Sequence, residues 1–185
     1  MDKIETTRMI IREFTPEDAG DLHEILGDEE TMKLCEPAYS YEKTQKLLED
    51  FCIGRKGALA AAQKKSGKVI GYILFKSIEE DVYEMGWFFN RKYWRQGYAY
   101  EACVKIMEYA FDVMHVHKII AETIDTERSV KLMEKLGMTC EGIQRNQVRD
   151  NTGNRADLHL YGILREDRIT GKLHRQDRLC QKLKD

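Results

Sequence analysis

Residues 93–102, YWRQGYAYEA, decide how this chain is interpreted, because a glycine stands where a strand gives way to a helix. The preceding run 82–89 is strongly apolar and predicts a strand, and an apolar helical period begins at Ala99. Such a turn leaves several backbone N–H groups unpaired at the positive end of the helix dipole. Because Gly97 has no side chain, an anion could contact the backbone there, and the small side chain of Ala99 would leave room for the next contact. The stretch therefore indicates a site for phosphate or pyrophosphate.

An ordinary glycine turn would produce the same spacing, so on this stretch alone both interpretations stay open. Two other phosphate signatures are missing from the sequence. It contains no G-x-x-x-x-G-K-[ST] loop and no G-x-G-x-x-G after its first strand. The nucleoside triphosphatase and dinucleotide-binding folds are therefore disfavoured.

Apolar periodicity predicts a mixed α/β sheet along most of the chain. Residues 15–18, TPED, supply a hydroxyl N-cap, a proline at the first helical position and an acid at the third, which is typical of a helix start. A second early helix is predicted for residues 41–53. Strands are predicted for residues 9–14, 58–63, 68–75, 82–89, 118–123, 138–150 and 155–164, and later helices from residue 99 and over residues 129–136.

Composition and charge disfavour several classes of function. The 185 residues suit one domain, and 42% hydrophobic residues are enough for its core. A net charge of −2 gives no global positive field, so we expect neither a nucleic-acid partner nor an anionic membrane surface. The chain has no signal-peptide core and no apolar run of membrane length, so the expected location is the cytoplasm. His115 and His117 form an H-x-H pair without a third ligand nearby, so no metal site is expected.

Three separated motifs give the chain a resemblance to a known family. EMGWFFNRKYWRQGYAYEA, SVKLMEKLGMTCEG and ADLHLYGILRED follow one another in this order. They resemble the GNAT superfamily of acyl-CoA-dependent N-acetyltransferases, and more narrowly its ribosomal-protein (RimJ/RimL-type) branch. The resemblance implies an α/β (α+β) fold, with a mixed, mostly antiparallel sheet of seven strands flanked by about four helices. Residues 1–166 would form this domain, and residues 167–185 a basic tail.

The resemblance also implies that acetyl-CoA is the donor, and we expect a monomer or a homodimer. In the family, backbone amides of the strand–turn–helix segment hold the CoA pyrophosphate, and the end of the preceding strand pairs with pantetheine. The matching residues here are Arg95, Gln96, Gly97, Tyr98 and Ala99 for the pyrophosphate, and Trp87, Phe88, Phe89 and Thr126 for pantetheine. Three positions depart from the pattern: Arg95 replaces the branch's usual glycine, Arg91 a frequent proline, and Thr126 an asparagine.

The family chemistry is direct attack of a neutral amine on the acetyl thioester, which also requires a proton for the leaving thiolate. Many members use a tyrosine four residues before the glycine of the last helix, but Met133 stands there and cannot donate a proton. Ser129 matches a branch serine proposed to act near the sulfur, although capping of the following helix explains it almost as well. Glu84 and Asp157 are the candidate bases, and either could instead be a surface charge or a structural partner.

The weak signal for a base bears on the acceptor. A terminal α-amine, with a pKa near ~7.8, is partly neutral at pH 7, whereas a lysine near ~10.4 is almost wholly charged. We therefore expect the acceptor to be a protein or peptide N-terminal α-amine. Two alternatives stay open: a small amine such as a polyamine or an aminoglycoside, and a non-catalytic acyl-CoA-binding domain. Acceptor choice is expected to depend on residues 16–53 and 145–154.

Overall fold

The computed structural model describes residues 2–169, which form one eight-stranded sheet with helices on both faces. Its strands are β1 (Ile4–Glu5), β2 (Met9–Glu13), β3 (Ala58–Gln63), β4 (Val69–Glu79), β5 (Val82–Phe89), β6 (Lys118–Thr123), β7 (Thr139–Arg149) and β8 (Arg155–Leu164). Its α-helices are α1 (Ala19–Leu26), α2 (Glu29–Met32), α3 (Tyr41–Leu47), α4 (Tyr98–Asp112), α5 (Ser129–Lys135) and α6 (Arg165–Ile169). Shorter helical turns occupy Pro16–Asp18 and Arg91–Tyr93, and a π-helical turn, Leu48–Ile53, extends α3.

The strand order is β1-β2-β3-β4-β5-β6-β8-β7, and β5 and β6 are the one parallel pair of the described sheet. A parallel connection needs a crossover, and the segment between β5 and β6 contains α4. Everything else pairs antiparallel. The prediction of a mixed, mostly antiparallel α/β fold is therefore confirmed.

Two counts differ from the sequence prediction. The sheet has one strand more than expected, because β1 is only two residues long and carries no readable alternation. Six α-helices replace the expected four, because α2 and α6 have four and five residues, too few to show a helical period. The long predicted strands keep their positions, and β3, β5, β6 and β8 have the predicted bounds.

Apolar side chains form two cores, one on each face of the sheet, which we call the α4 face and the α1 face. The core of the α4 face includes Met9, Ile11, Ile73, Met85, Phe89, Ala102, Cys103, Ile106, Phe111, Ile119, Met133 and Tyr161. The core of the α1 face includes Phe14, Leu22, Ile25, Leu48, Cys52, Ala60, Val69 and Tyr72. Each fully buried large side chain contributes roughly 1.5–3 kcal/mol relative to exposure. Helix α4 buries seven of its 15 residues, so its N-terminus has a fixed position on the sheet.

The predicted domain boundary and basic tail stay predictions. The boundary expected after residue 166 falls inside α6, and residues 170–185 of the expected tail lie outside the described residues. Within residues 2–169 no helix is both long and apolar enough to cross a membrane. In the same range no group of three His, Cys, Asp or Glu side chains is placed as metal ligands would be.

Candidate functional site

The parallel strands β5 and β6 form a fork. They pair through Val82↔Lys118, Tyr83↔Ile119 and Glu84↔Ile120, and the pairing stops there. Beyond this point β5 stays paired with β4 as far as Phe89, and β6 stays paired with β8 as far as Thr123. Each strand therefore turns an edge towards the gap, where N–H and C=O groups can pair with an extended ligand. Trp87, Phe88 and Phe89, the residues expected to meet pantetheine, lie on this part of β5.

The turn that follows β5 is tied to the sheet by one backbone and one side-chain hydrogen bond. Asn90 is buried; its amide N–H donates to the Ile70 carbonyl, and its side-chain oxygen accepts from Lys92 N at 3.1 Å. The Trp94 indole Nε1 donates to the Phe89 carbonyl at 2.6 Å. The turn is therefore rigidly placed at the open end of the fork.

The N-terminus of α4 completes a cradle of backbone N–H groups. Arg95 and Gly97 both have left-handed backbones, with φ of 58° and 80°. The first bond of the helix ladder runs from Glu101 N to Gly97 O at 3.0 Å, so the amides of residues 98–100 precede it and have no helical partner. Alternating left-handed residues beside a helix N-terminus form a concavity that suits an anion. The structure thus brings the five predicted pyrophosphate residues together.

Gly97 is needed here for its conformation. A Cβ added to it would have one neighbour within 4 Å, the Arg8 Nη2 atom at 3.6 Å, so space is available. A φ of 80° is what disfavours other residues. The same reasoning applies to Arg95, which stands where the family pattern has glycine. It holds a left-handed conformation that would suit the usual glycine better, at a cost of roughly 1–2 kcal/mol.

Ser129 is the first residue of α5, is half-buried and does not cap the helix. The Asp125 carboxylate does the capping, because its Oδ1 accepts from Glu127 N at 3.1 Å and Arg128 N at 2.9 Å. The Ser129 hydroxyl makes no hydrogen bond to any residue between 2 and 169. The capping alternative is therefore unsupported. Thr126 is exposed in the same loop.

The loop before α5 lies beside the turn after β5. The Arg128 guanidinium stands over the Trp94 ring at 4.7 Å from its centroid, which joins the two segments. Met133, at the position of the family's tyrosine, is buried in the core of the α4 face. Its side chain therefore packs the helix and does not reach a ligand.

The two predicted bases lie apart, and each has a local partner. Glu84 lies on the face of β5 that carries Phe88, and its Oε2 is 2.9 Å from Lys76 Nζ. Asp157 is exposed on β8, and its Oδ1 accepts from Asn146 N at 2.8 Å. Asn146 has a φ of 52° where the β7–β8 register shifts, so Asp157 stabilises this bulge. Asp157 therefore has a structural partner, Asn146, and the structure does not place it beside Glu84.

Sequence reasoning missed Glu122. It lies on β6 two residues beyond Ile120, the last residue paired with β5, and by alternation it shares the face of Glu84. Glu122 is exposed to solvent, but partial burial of its carboxyl raises its pKa, and the Glu84 charge raises it further, against an opposing effect of Lys76. One signal could have found it: an acid that directly follows the apolar run Ile119–Ala121 within a short strand.

The two segments expected to select the acceptor meet on the α1 face. The Asn151 side-chain Nδ2, at the tip of the β7–β8 hairpin, donates to the Met32 carbonyl at 2.9 Å and the Glu36 carbonyl at 2.8 Å. On the same face the Tyr72 ring lies 6.1 Å from both the Phe14 and Phe88 rings, measured between centroids. Burial raises the pKa of the Tyr72 hydroxyl, which stays protonated. The rings of Phe14, Tyr72 and Phe88 thus form an aromatic wall that runs across the sheet on the side opposite α4, with Phe14 and Tyr72 buried and Phe88 half-buried.

Comparison with known proteins gives a consistent result. The family model of the acetyltransferase (GNAT) domain matches residues 8–139. The uncharacterized N-acetyltransferase YnaD of Bacillus subtilis (strain 168) is 36% identical over 172 residues, which is 89% of this chain and 98% of that relative. The crystal structure of an acetyltransferase (GNAT family) from Bacillus anthracis superposes with a TM-score of 0.82 at 30% identity, over 89% of this chain and 99% of that one.

A more distant structure shares the fold alone. Ribosomal-protein-S5-alanine acetyltransferase from Vibrio fischeri superposes with a TM-score of 0.75 at 18% identity, over 90% of this chain and 98% of that one. An identity this low carries no information on the acceptor.

Proposed function

The chain belongs to the acetyltransferase (GNAT) family and is an acetyltransferase, and from that premise we propose that it acetylates the α-amine at a protein or peptide N-terminus, with acetyl-CoA as donor. The observation that carries the proposal is the fork between β5 and β6, with the amide cradle of residues 95–100 following its open end. An extended, amide-bearing arm that ends in a diphosphate fits both features at once.

The residues of the α4 face would bind and orient the donor. Acetyl-CoA supplies the electrophile, an acetyl thioester. The β5 edge at Trp87, Phe88 and Phe89 would pair with the pantetheine amides, the cradle would take the diphosphate, and Thr126 would lie beside the arm.

Ser129 would hold a proton near the sulfur. Its hydroxyl has no partner in the described structure, so it is free to donate to the leaving thiolate. Replacing Ser129 with alanine should then lower kcat while leaving the melting temperature unchanged, because Asp125 caps the helix. An unchanged kcat would reject this role.

The acceptor amine would approach from the α1 face and be deprotonated there. In the reaction the C–N bond forms as the C–S bond breaks, and one amine proton must be removed. Glu84 and Glu122 lie on this face at the fork, and a carboxylate with a raised pKa accepts a proton more readily at neutral pH. We therefore assign the base to this carboxylate pair and keep Asp157 as a structural residue.

One property of the α1 face supports a peptide acceptor over a polyamine. The half-buried Phe88 ring, packed on the buried Tyr72 ring, offers apolar surface that suits a peptide.

A panel of acceptors tests the proposal. Peptides with a free N-terminus should release CoA thiol and gain one acetyl group, located by mass spectrometry at the first residue. The same peptides with blocked termini and internal lysines should be poor substrates, and kcat/KM should rise with pH towards ~8 as the α-amine loses its proton. Preferential transfer to lysine or spermidine would overturn the choice of acceptor.

The wider assignments stand as proposals with the same support. We propose that residues 1–166 form the catalytic domain, that the chain belongs to the RimJ/RimL-type branch, and that it acts in the cytoplasm without a nucleic-acid or membrane partner. A monomer or a homodimer is expected, and sedimentation equilibrium would distinguish these from larger assemblies.

A further inference from the structure

A half-buried carboxylate, Glu101, joins the turn between β1 and β2 to the first turn of α4. Glu101 Oε1 accepts from Thr6 Oγ1 at 2.6 Å and from Arg8 N at 2.8 Å, and its Oε2 accepts from Arg8 Nε at 2.7 Å. Burial would raise the pKa of Glu101, but the bonds from Thr6 and Arg8 outweigh it and hold that pKa below its usual value. At neutral pH the carboxylate is therefore ionised and Arg8 is held in one place.

Arg8 also reaches the cradle itself. Its Nη1 donates to the Gln96 carbonyl at 2.9 Å, and its guanidinium stacks over the Tyr98 ring at 3.9 Å from the centroid. In a trans peptide the C=O and the following N–H point in opposite directions. Because Arg8 holds the Gln96 carbonyl, the Gly97 N–H is directed away from Arg8.

We propose that Arg8 is a positioning residue of the donor site: it fixes the Gln96–Gly97 peptide so that the Gly97 amide is aligned for the diphosphate before acetyl-CoA binds. This inference rests on the proposed function. The Gln96–Gly97 peptide leads into the left-handed Gly97, where the backbone has unusual freedom, and a cradle that is already aligned loses little freedom on binding. Arg8 would act here through the backbone, as a forked donor anchored by Glu101 that holds the Gln96 carbonyl.

The test compares three variants with two donors. Arg8→Gln removes the fork. Arg8→Lys keeps the charge but cannot bond Glu101 and Gln96 in the same geometry. Arg12→Gln is the matched control, because it breaks a two-bond Arg12–Asp18 pair, at 2.7 and 2.8 Å, in the neighbouring strand β2. Calorimetry measures the affinity of each protein for acetyl-CoA and for S-acetylpantetheine, which lacks the phosphates.

We expect both Arg8 variants to bind acetyl-CoA about ten- to a hundredfold more weakly than the wild type, as for the loss of a charge-assisted hydrogen bond. Their affinity for S-acetylpantetheine should change by less than about twofold, and Arg12→Gln should bind both donors normally despite a lower melting temperature.

Three results would contradict the inference. Wild-type acetyl-CoA affinity in Arg8→Gln, or equal losses for the two donors, would show that Arg8 only stabilises the fold. Full recovery in Arg8→Lys would show that charge alone matters. Failure of the wild type to bind acetyl-CoA would instead overturn the proposed function.

Discussion

At the scale of single residues, backbone conformation decides what the side chains of the turn can do. The sequence singled out Gly97 as a place where an anion meets the backbone, and the left-handed φ of 80° supplies the physical reason. It could not reveal that Arg95 adopts a left-handed conformation too, because arginine rarely does so. The role of Ser129 was undecided for a similar reason: whether Ser129 or Asp125 caps α5 depends on side-chain geometry.

Replacing Gly97 with valine should damage both the fold and the donor site. A β-branched residue at this φ costs about 1–2 kcal/mol, which lowers the melting temperature by roughly 2–8 °C. Because the Gly97 amide would also turn away from the diphosphate, acetyl-CoA affinity should fall at least about tenfold. Thermal melts and calorimetry measure the two effects.

Gly67 offers a matched control for this change. It has a φ of 75° and nothing within 4 Å of an added Cβ, and it lies in the β3–β4 turn. Gly67→Val should lose a similar amount of stability and bind acetyl-CoA normally. If both variants lose affinity equally, backbone strain and not the cradle explains the effect.

At the scale of elements, the fork places a pair of carboxylates that the sequence could show only in part. Alternation along β5 was enough to place Glu84 on a face. The partner Glu122 depends on the parallel register of β5 with β6, which is a long-range pairing. The bulge that occupies Asp157 is likewise set by the pairing of β7 with β8.

Glu122→Gln should lower activity and raise stability at neutral pH. The folded-state pKa of Glu122 lies above the unfolded value, so keeping it ionised costs stability at pH 7. This cost disappears as the pH falls below the unfolded value of about 4.3. Because Glu122 is exposed, solvent screens this cost, so the variant should melt only slightly higher than the wild type at pH 7 and equally near pH 4. Its kcat should fall about a hundredfold if Glu122 accepts the proton.

Two controls test the assignment of Glu122. Asp157→Asn should change kcat by less than about fivefold, because it removes a bulge contact. Glu84→Gln removes the neighbouring charge, so the acid limb of the pH–rate profile should move to lower pH. A fully active Glu122→Gln enzyme, or an inactive Asp157→Asn enzyme that binds acetyl-CoA, would refute the assignment.

At the scale of the whole molecule, the sheet separates two binding tasks. The cradle and the loop before α5 lie on the α4 face. The aromatic wall lies on the α1 face, where the β7–β8 hairpin contacts residues 32–36. Apolar periodicity predicted the sheet and the helices α1 and α3, because it reflects burial. It could not predict that the β7–β8 hairpin would pack on the loop after α2, because that contact joins residues 115 positions apart through one amide side chain.

Asn151→Ala should therefore impair acceptor binding alone. Its Nδ2 makes two hydrogen bonds that dock the hairpin on the Met32 and Glu36 carbonyls, and both are lost in the variant. The hairpin tip should then open, so the KM for a peptide acceptor should rise about tenfold while the KM for acetyl-CoA stays within about twofold.

Asn154→Ala is the control, because Asn154 Nδ2 bonds only within the hairpin, to Thr152 Oγ1 at 2.7 Å. Steady-state kinetics with each substrate varied in turn separates the two constants. A rise in the acetyl-CoA KM of Asn151→Ala, or an equal effect of Asn154→Ala, would show that the hairpin does not belong to a separate acceptor site.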